Sequence, residues 1–384
     1  MTPQKQTILF SGMIAADPHQ GGATWAVLQY LLGLQRLGHE VCFIEPIQEA
    51  ALQPKSTDLA ASKNAKYFRE VVSAFGLEKN STLLLAGTQR TVGLPYEDLL
   101  QIARRADVLI NVSGMLVDAA LIEQIPRRIY LDLDPAFVQL WHEVSKIDMR
   151  LEGHTHFVSV GQAIGRRGCR VPICGRDWIP TLPPVVLEEW PAGENITHNA
   201  FTTIANWRGY GSIEYEGRHY GQKAHSLRPF FSLPTRTTER FELALSIHPG
   251  EEKDLAALKE NGWQLIDPAE VAATPASYRD FVRGSKAEFG IAKSGYVVSR
   301  CGWFSDRSAC YLASGRPVIA HDTGFSDFLP TGEGLHAFTT IDDALTSIDE
   351  LKRDYKKNSS TARALATEYF NSETVLSRLL EKTG

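Results

Sequence analysis

No stretch of the sequence stays apolar for the roughly 20 residues that a helix needs to cross a bilayer, so no membrane span is expected. A charged leader followed by a long apolar run and a small-residue cleavage site is also missing. Met1 to Gln6 is polar and passes at once into Ile8-Leu9-Phe10, which gives no export signal. Cysteine is scarce. Cys42, Cys169, Cys174, Cys301 and Cys310 are odd in number and supply no paired C-x-x-C or Cys/His pattern for zinc, so reduced thiols in the cytoplasm are expected. Charge of one sign is lacking too. With 40 Lys and Arg against 45 Asp and Glu the net charge is −5, which provides no global field to hold a polyanion by counterion release. That argues against nucleic acid as a partner and leaves only a local basic groove open. Repeats and low-complexity tracts are absent.

The chain has 384 residues, 43% of them hydrophobic and 22% charged, which suits a globular protein of two α/β domains. Thr7 to Phe10 reads as a strand, Asp17 to Gly22 as a turn-rich loop, and Ala23 to Leu37 as a helix stopped by Gly38. Val41 to Ile44 is a second strand, ending at Glu45-Pro46. This βαβ unit predicts a parallel sheet. Strands at Thr82–Leu85, Val108–Val112, Ile129–Leu133 and Phe157–Val160, interleaved with helices at Leu59–Phe75 and Tyr96–Arg105, continue the alternation. Five prolines between Val171 and Pro191 disfavour both helix and central strand, and the linker is placed there. The second half restarts with strands at Phe201–Ile204, Phe241–Ile247, Trp263–Ile266, near Ile291 and at Pro317–Ala320, with helices at Lys253–Asn261 and Ser308–Ala313. The expected fold class is α/β: two Rossmann-like, doubly wound domains over 1–190 and 191–365 facing a cleft, closed by a helix over 366–384.

The stretch richest in candidate chemistry runs from Arg300 to Thr323. Cys301-Gly302-Trp303, with Ser305 two residues on, resembles the H-C-G-W-N-S segment of the donor box in UDP-dependent plant glycosyltransferases. Tyr311-Leu312-Ala313-Ser314-Gly315-Arg316-Pro317-Val318-Ile319 is similar to the A-x-G-x-P-V-I stretch of many GT-B glycosyltransferases. The box's His is Arg300 here, its Asn is Phe304, and its ribose-binding Glu falls on Cys310, with Asp306 and Arg307 the nearest charged residues to take over. Asn206-Trp207-Arg208-Gly209-Tyr210-Gly211 and Lys223 resemble the first loop of the family's C-terminal domain, and Gly21-Gly22 its N-terminal glycine loop.

The resemblance implies a nucleotide-sugar-dependent (Leloir-type) glycosyltransferase. Domain 1–190 would bind the acceptor and 191–365 the donor, a UDP-sugar before others, with no further cofactor and no metal. It places the donor diphosphate on Arg208, Lys223, Arg300 and Ser305, the nucleoside near Glu288 and Trp303, and the sugar near Asp322 and Thr323. The physics agrees in kind. A helix opened by small residues offers N–H groups and its dipole to an anion, arginines add charge-assisted hydrogen bonds, and fixed cations neutralise a departing diphosphate. His19 is placed like the general base of inverting members, and a neutral imidazole suits an acceptor hydroxyl near neutral pH. Asp134, in Asp132-Leu133-Asp134, is expected as an acceptor-side group or, better, as a helix N-cap. Two rival functions share these features: a sugar-nucleotide 2-epimerase of the same fold, and a non-catalytic nucleotide-sugar or glycan-binding protein. The acceptor is not legible in the sequence.

Overall fold

The computed structural model describes residues 5–384 and contains two large sheets. The first is built from β1 (Thr7–Ser11), β2 (Glu40–Ile47), β3 (Ser81–Leu85), β4 (Thr91–Gly93), β5 (Val108–Val112), β6 (Arg127–Asp132), β7 (His156–Ser159) and β8 (Trp178–Pro180). Its order is β4-β3-β2-β1-β5-β6-β7-β8, parallel throughout except for the antiparallel edge strand β4. The central strands β1, β3 and β5 are buried along nearly their whole length, which is why they read as unbroken apolar runs and not as alternating ones.

The second unit contains β9 (His198–Asn206), a small hairpin of β10 (Ile213–Tyr215) and β11 (Arg218–Tyr220), then β12 (Phe241–Ser246), β13 (Gln264–Ile266), β14 (Ser285–Gly290), β15 (Val318–His321) and β16 (Leu335–Phe338). Its six-stranded sheet is all parallel in the order β13-β12-β9-β14-β15-β16. Both sheets reverse direction beside their first strand, so each has a topological switch point at the carboxyl ends of its strands, where ligands of such sheets bind.

Three local readings of the sequence need correction. The strand expected near Ile291 is β14, which ends at Gly290, so Ile291 to Lys293 form the loop beyond it. The proline-rich segment is not all linker, because Trp178–Pro180 joins the first sheet as an edge strand, where proline's missing N–H is tolerated. β16 and the hairpin were not anticipated.

The two units are pinned together. Trp25 packs on Trp190, with ring centroids 5.0 Å apart, and its Nε1–H donates to the carbonyl of Pro275 at 2.8 Å. The terminal helix Ser372–Thr383 returns to the first unit and lies on the helix Gly21–Arg36. A Cβ on Gly33 would stand 2.6 Å from Leu376 and 2.8 Å from Ser372, so only glycine lets these helices meet.

Candidate active site

The carboxyl ends of β9 and β14 open onto a cleft of about 960 Å³ between the units. Three cationic side chains line it. Lys223 opens the helix Lys223–Leu227 and donates from Nζ to the carbonyl of Ile291 at 2.6 Å. Burial, then the neighbouring Arg307 and Lys293, drive its ammonium well below the ordinary lysine range. Part of that shift is repulsion from Arg307 and Lys293, which an anion lying among the three would relieve. Arg307, in the first turn of the helix Asp306–Ala313, donates from Nε to Glu288 at 2.5 Å and from Nη1 to the carbonyl of Ile204 at 2.9 Å. Burial opposes its charge, but Glu288 outweighs that and raises it above the usual value. Lys293 follows β14 and lies among the rings of Tyr210, Tyr296 and Phe137, 4.4, 5.1 and 5.2 Å from their centroids.

Opposite these cations stands the loop Pro18–Ala23, which leads from β1 into the helix Gly21–Arg36. Its approach is anchored by Glu45, whose buried carboxyl accepts the N–H groups of Ile14, Ala15 and Ala16. Burial pushes that carboxyl up to about 7 against the pull of those three N–H groups. Gly21 donates its N–H to the carbonyl of Ala272 at 2.8 Å, and a Cβ there would fall 2.4 Å from the carbonyl oxygen of Thr274. A Cβ on Gly22 would lie 2.9 Å from the ring of Tyr278. The glycine pair therefore lets the helix N-terminus reach the other unit. Gly22 and Ala23 line the cleft, and among the described residues their N–H groups have no partner. His19 lines it as well, at a φ of 66°, with its ring 4.9 Å from that of Tyr67. The far wall carries Leu265, Ile266, Asp267 and Pro268 beside the ends of β12 and β13, apolar side chains with one carboxylate among them.

The structure gathers only part of the expected donor site. Lys223, Asp306, Arg307, Gly22 and His19 meet on the cleft, with Gly21 behind Gly22. Arg208 instead pairs with Glu251, and Arg300, left-handed at the end of the helix Ser294–Ser299, pairs with Asp327 at 3.1 Å. Neither guanidinium lines the cleft. Cys301-Gly302-Trp303 abuts the first unit, where Ala163 donates its N–H to the Cys301 carbonyl at 2.9 Å and Gly161 bridges to Trp303. The segment is an interface strap and does not form an open loop. Ser305 holds the N-cap position with no capping bond. Asp322 accepts the N–H of Gly324 at 2.8 Å and the Ser326 hydroxyl at 2.8 Å, and Thr323 donates to the Trp303 carbonyl, so both serve the turn after β15. Glu288 is wholly buried against Arg307.

Asp134 is not a helix cap. Ala136 occupies the position before the helix Phe137–Glu143, without a side-chain capping bond. The Asp134 carboxylate crosses to the other unit, where it accepts from Tyr210 at 2.6 Å and from Tyr296, and pairs with Lys293 at 3.1 Å. Asp132 turns inward to Gln139 and Ser159, each at 2.8 Å, so the two carboxylates of this triplet face different partners. Lys293 and Tyr296 escaped the sequence reading, and Tyr210 entered it only as part of a loop motif, without a role. The misplaced end of β14 hid Lys293, which stands in the loop directly after the strand at the switch point.

His321, at the end of β15, stacks on Phe338 with centroids 5.1 Å apart and meets Phe230 edge-on. Burial lowers it from the ordinary 6.5 to about 4, with Asp322 opposing and Lys223 adding to the shift. Between these values the unfolded chain carries the proton and the folded ring does not, so stability falls as pH drops through this window. Denaturant midpoints at pH 7 and pH 4.5 should show wild type losing ground to His321→Phe, by up to about 1.4 kcal/mol per pH unit. Parallel losses would show that His321 titrates normally.

No family model matches the chain, and no curated protein sequence matches it. Solved structures do resemble it. An alpha-glucosyltransferase in complex with UDP and a 13-mer DNA containing a central A:G mismatch aligns over 99% of both chains at 12% identity, with a TM-score of 0.61. Anabaena HepE in complex with UDP and glucose aligns over 98% of this chain and 99% of its own at 12% identity, with a TM-score of 0.58. AviGT4, a glycosyltransferase involved in avilamycin A biosynthesis, covers 98% and 97% at 14% identity and 0.54. With two doubly wound units facing a cleft, the chain has the GT-B fold of these glycosyltransferases.

Proposed function

We propose that the protein transfers a sugar from a nucleoside diphosphate sugar, with UDP as the carrier, to an acceptor held in the first unit. The observation that carries this reading is the convergence of Lys223, Lys293 and Arg307 on the switch point of the second sheet, opposite the open N–H groups of a helix N-terminus. That arrangement fits a diphosphate lying between the units. The base would lie against the side chains of Leu265, Ile266 and Pro268, and UDP in the bound forms of two structural neighbours supports the uridine nucleotide.

In the reaction the acceptor oxygen attacks the anomeric carbon, the bond from that carbon to the diphosphate oxygen breaks, and its electron pair leaves with the diphosphate. The three cations stabilise the charge that develops there. His19 borders the cleft alone, whereas Asp306 borders both the cleft and a smaller cavity walled by Gly22, Trp25 and Phe304. We therefore assign His19 to the donor's sugar hydroxyls and the acceptor proton to Asp306, whose only hydrogen bond among the described residues is from Ser305 at 3.4 Å. Asp134 positions Lys293 and does not meet the acceptor.

Calorimetric titration with UDP and UDP-glucose tests the reading. Binding of both, with slow release of glucose or transfer to an added acceptor, is expected; failure to bind any nucleoside diphosphate would overturn it. Lys293→Met should weaken UDP binding by about 1.5–3 kcal/mol, the range for a hydrogen bond to a charged group. An unchanged dissociation constant would remove Lys293 from the diphosphate site.

A further inference from the structure

A second, more enclosed cavity of about 180 Å³ lies behind Gly22, walled by both units. Its lining is mostly apolar, with Trp25, Leu133, Val160, Pro184, Trp303 and Phe304 among the contributors. Several polar groups on its wall are uncommitted, the hydroxyl of Tyr278 and the indole N–H of Trp303 among them, and two bear on the ligand. One is the Asp306 carboxylate, which has no cationic partner among the described residues. The other is the hydroxyl of Tyr30, a side chain only 2% exposed whose oxygen has no hydrogen-bond partner among the described residues. Gln29 is occupied by the Val186 N–H at 2.7 Å and the Cys310 sulfur. A buried hydroxyl without a partner is uncommon in a native core and calls for a ligand or a water.

Resting on the donor reading above, we propose that this cavity is the acceptor subsite and that the acceptor is a single-ring phenol or comparably small aryl alcohol. An apolar cavity of about 150 Å³ accepts a benzene ring, so the space here fits one ring and no more. A sugar of similar bulk would turn several hydroxyls towards a mostly apolar wall, and the unpaired ones would oppose binding. A ring hydroxyl directed to the mouth donates to Asp306, which borders the donor cleft as well. In transfer, that proton passes to the Asp306 carboxylate while the phenolic oxygen bonds to the anomeric carbon and the diphosphate departs with the electrons of the broken bond.

The test uses para-cresol as the probe, titrated calorimetrically with and without UDP and assayed with UDP-glucose for the cresyl glucoside. Wild type should bind cresol and form the glucoside. Ala26→Leu, which places a larger side chain on the cavity wall and does not line the donor cleft, should retain its melting temperature and UDP affinity while losing cresol binding by about tenfold or more. Displacement of 4-nitrophenol by cresol, read from the recovery of emission by Trp25 and Trp303, gives a measurement on wild type that needs no variant to fold. The inference is overturned if UDP binds and cresol does not, if Ala26→Leu binds cresol as well as wild type does, or if maltose is glucosylated and cresol is not. Absence of UDP binding would instead defeat the donor reading, while cresol binding still reports on the cavity.

Discussion

Asp306→Asn is expected to lower kcat by about 100- to 10,000-fold, the span usual for loss of a general base, while UDP affinity stays level or rises. The sign of the second effect separates this residue from the cations. Asp306 borders the same cleft as Lys223, Lys293 and Arg307, so its negative charge opposes a diphosphate placed there, and removing that charge relieves repulsion. The amide keeps the shape of the side chain and can still accept a hydrogen bond through its oxygen, but it cannot carry away the acceptor's proton. Steady-state rates at saturating donor, with UDP titrations on the same preparations, check both halves. A variant with wild-type kcat would remove Asp306 from acceptor activation and return that role to His19. A variant whose main defect is weaker UDP binding would make Asp306 a donor ligand.

Arg307→Met is expected to destabilise the fold by about 3–5 kcal/mol, the cost of leaving one charge of a buried pair without its partner. Glu288 is 0% exposed, and Arg307 Nε lies 2.5 Å from it. The other carboxylate oxygen of Glu288 has no hydrogen-bond partner among the described residues, so it has nothing to fall back on once the guanidinium is gone. Arg307 also ties the Ile204 carbonyl at 2.9 Å, near the end of the first strand of the second sheet. The double variant Glu288→Gln/Arg307→Met should recover much of the loss, because neutralising both partners removes the stranded charge. Chemical denaturation of the two single variants and the double one forms the cycle. Additive losses would show that the pair is not coupled in the fold.

The sheets were legible because buried parallel strands are written as apolar runs between turn residues, as in Val108–Val112 and Val318–His321. The hairpin Ile213–Tyr220 was not, since its short strands carry charged residues among aromatic ones. For the site, residue type proved easier to foresee than direction. Arg300 and Arg208 stand in the loops where the resemblance places them, yet a left-handed backbone at Arg300 and the nearby acids Asp327 and Glu251 turn both away from the cleft. The cation in their stead, Lys293, had no motif to announce it, because its place depends on where β14 ends and on a carboxylate 159 positions earlier in the chain. The same holds for Asp134. Its place in the triplet after a strand suggested a helix cap, and only the packing of the two units shows that the carboxylate serves the interface.

The central claim is that a nucleoside diphosphate lies between the two units, and a crystal structure of the protein with bound UDP tests it most directly. The diphosphate oxygens should be found within hydrogen-bonding distance of Lys223, Lys293 and Arg307 and of the Gly22 or Ala23 N–H, with the uracil against Ile266 and Pro268. UDP bound elsewhere, or bound in the cleft with its phosphates directed away from all three cations, would contradict the account.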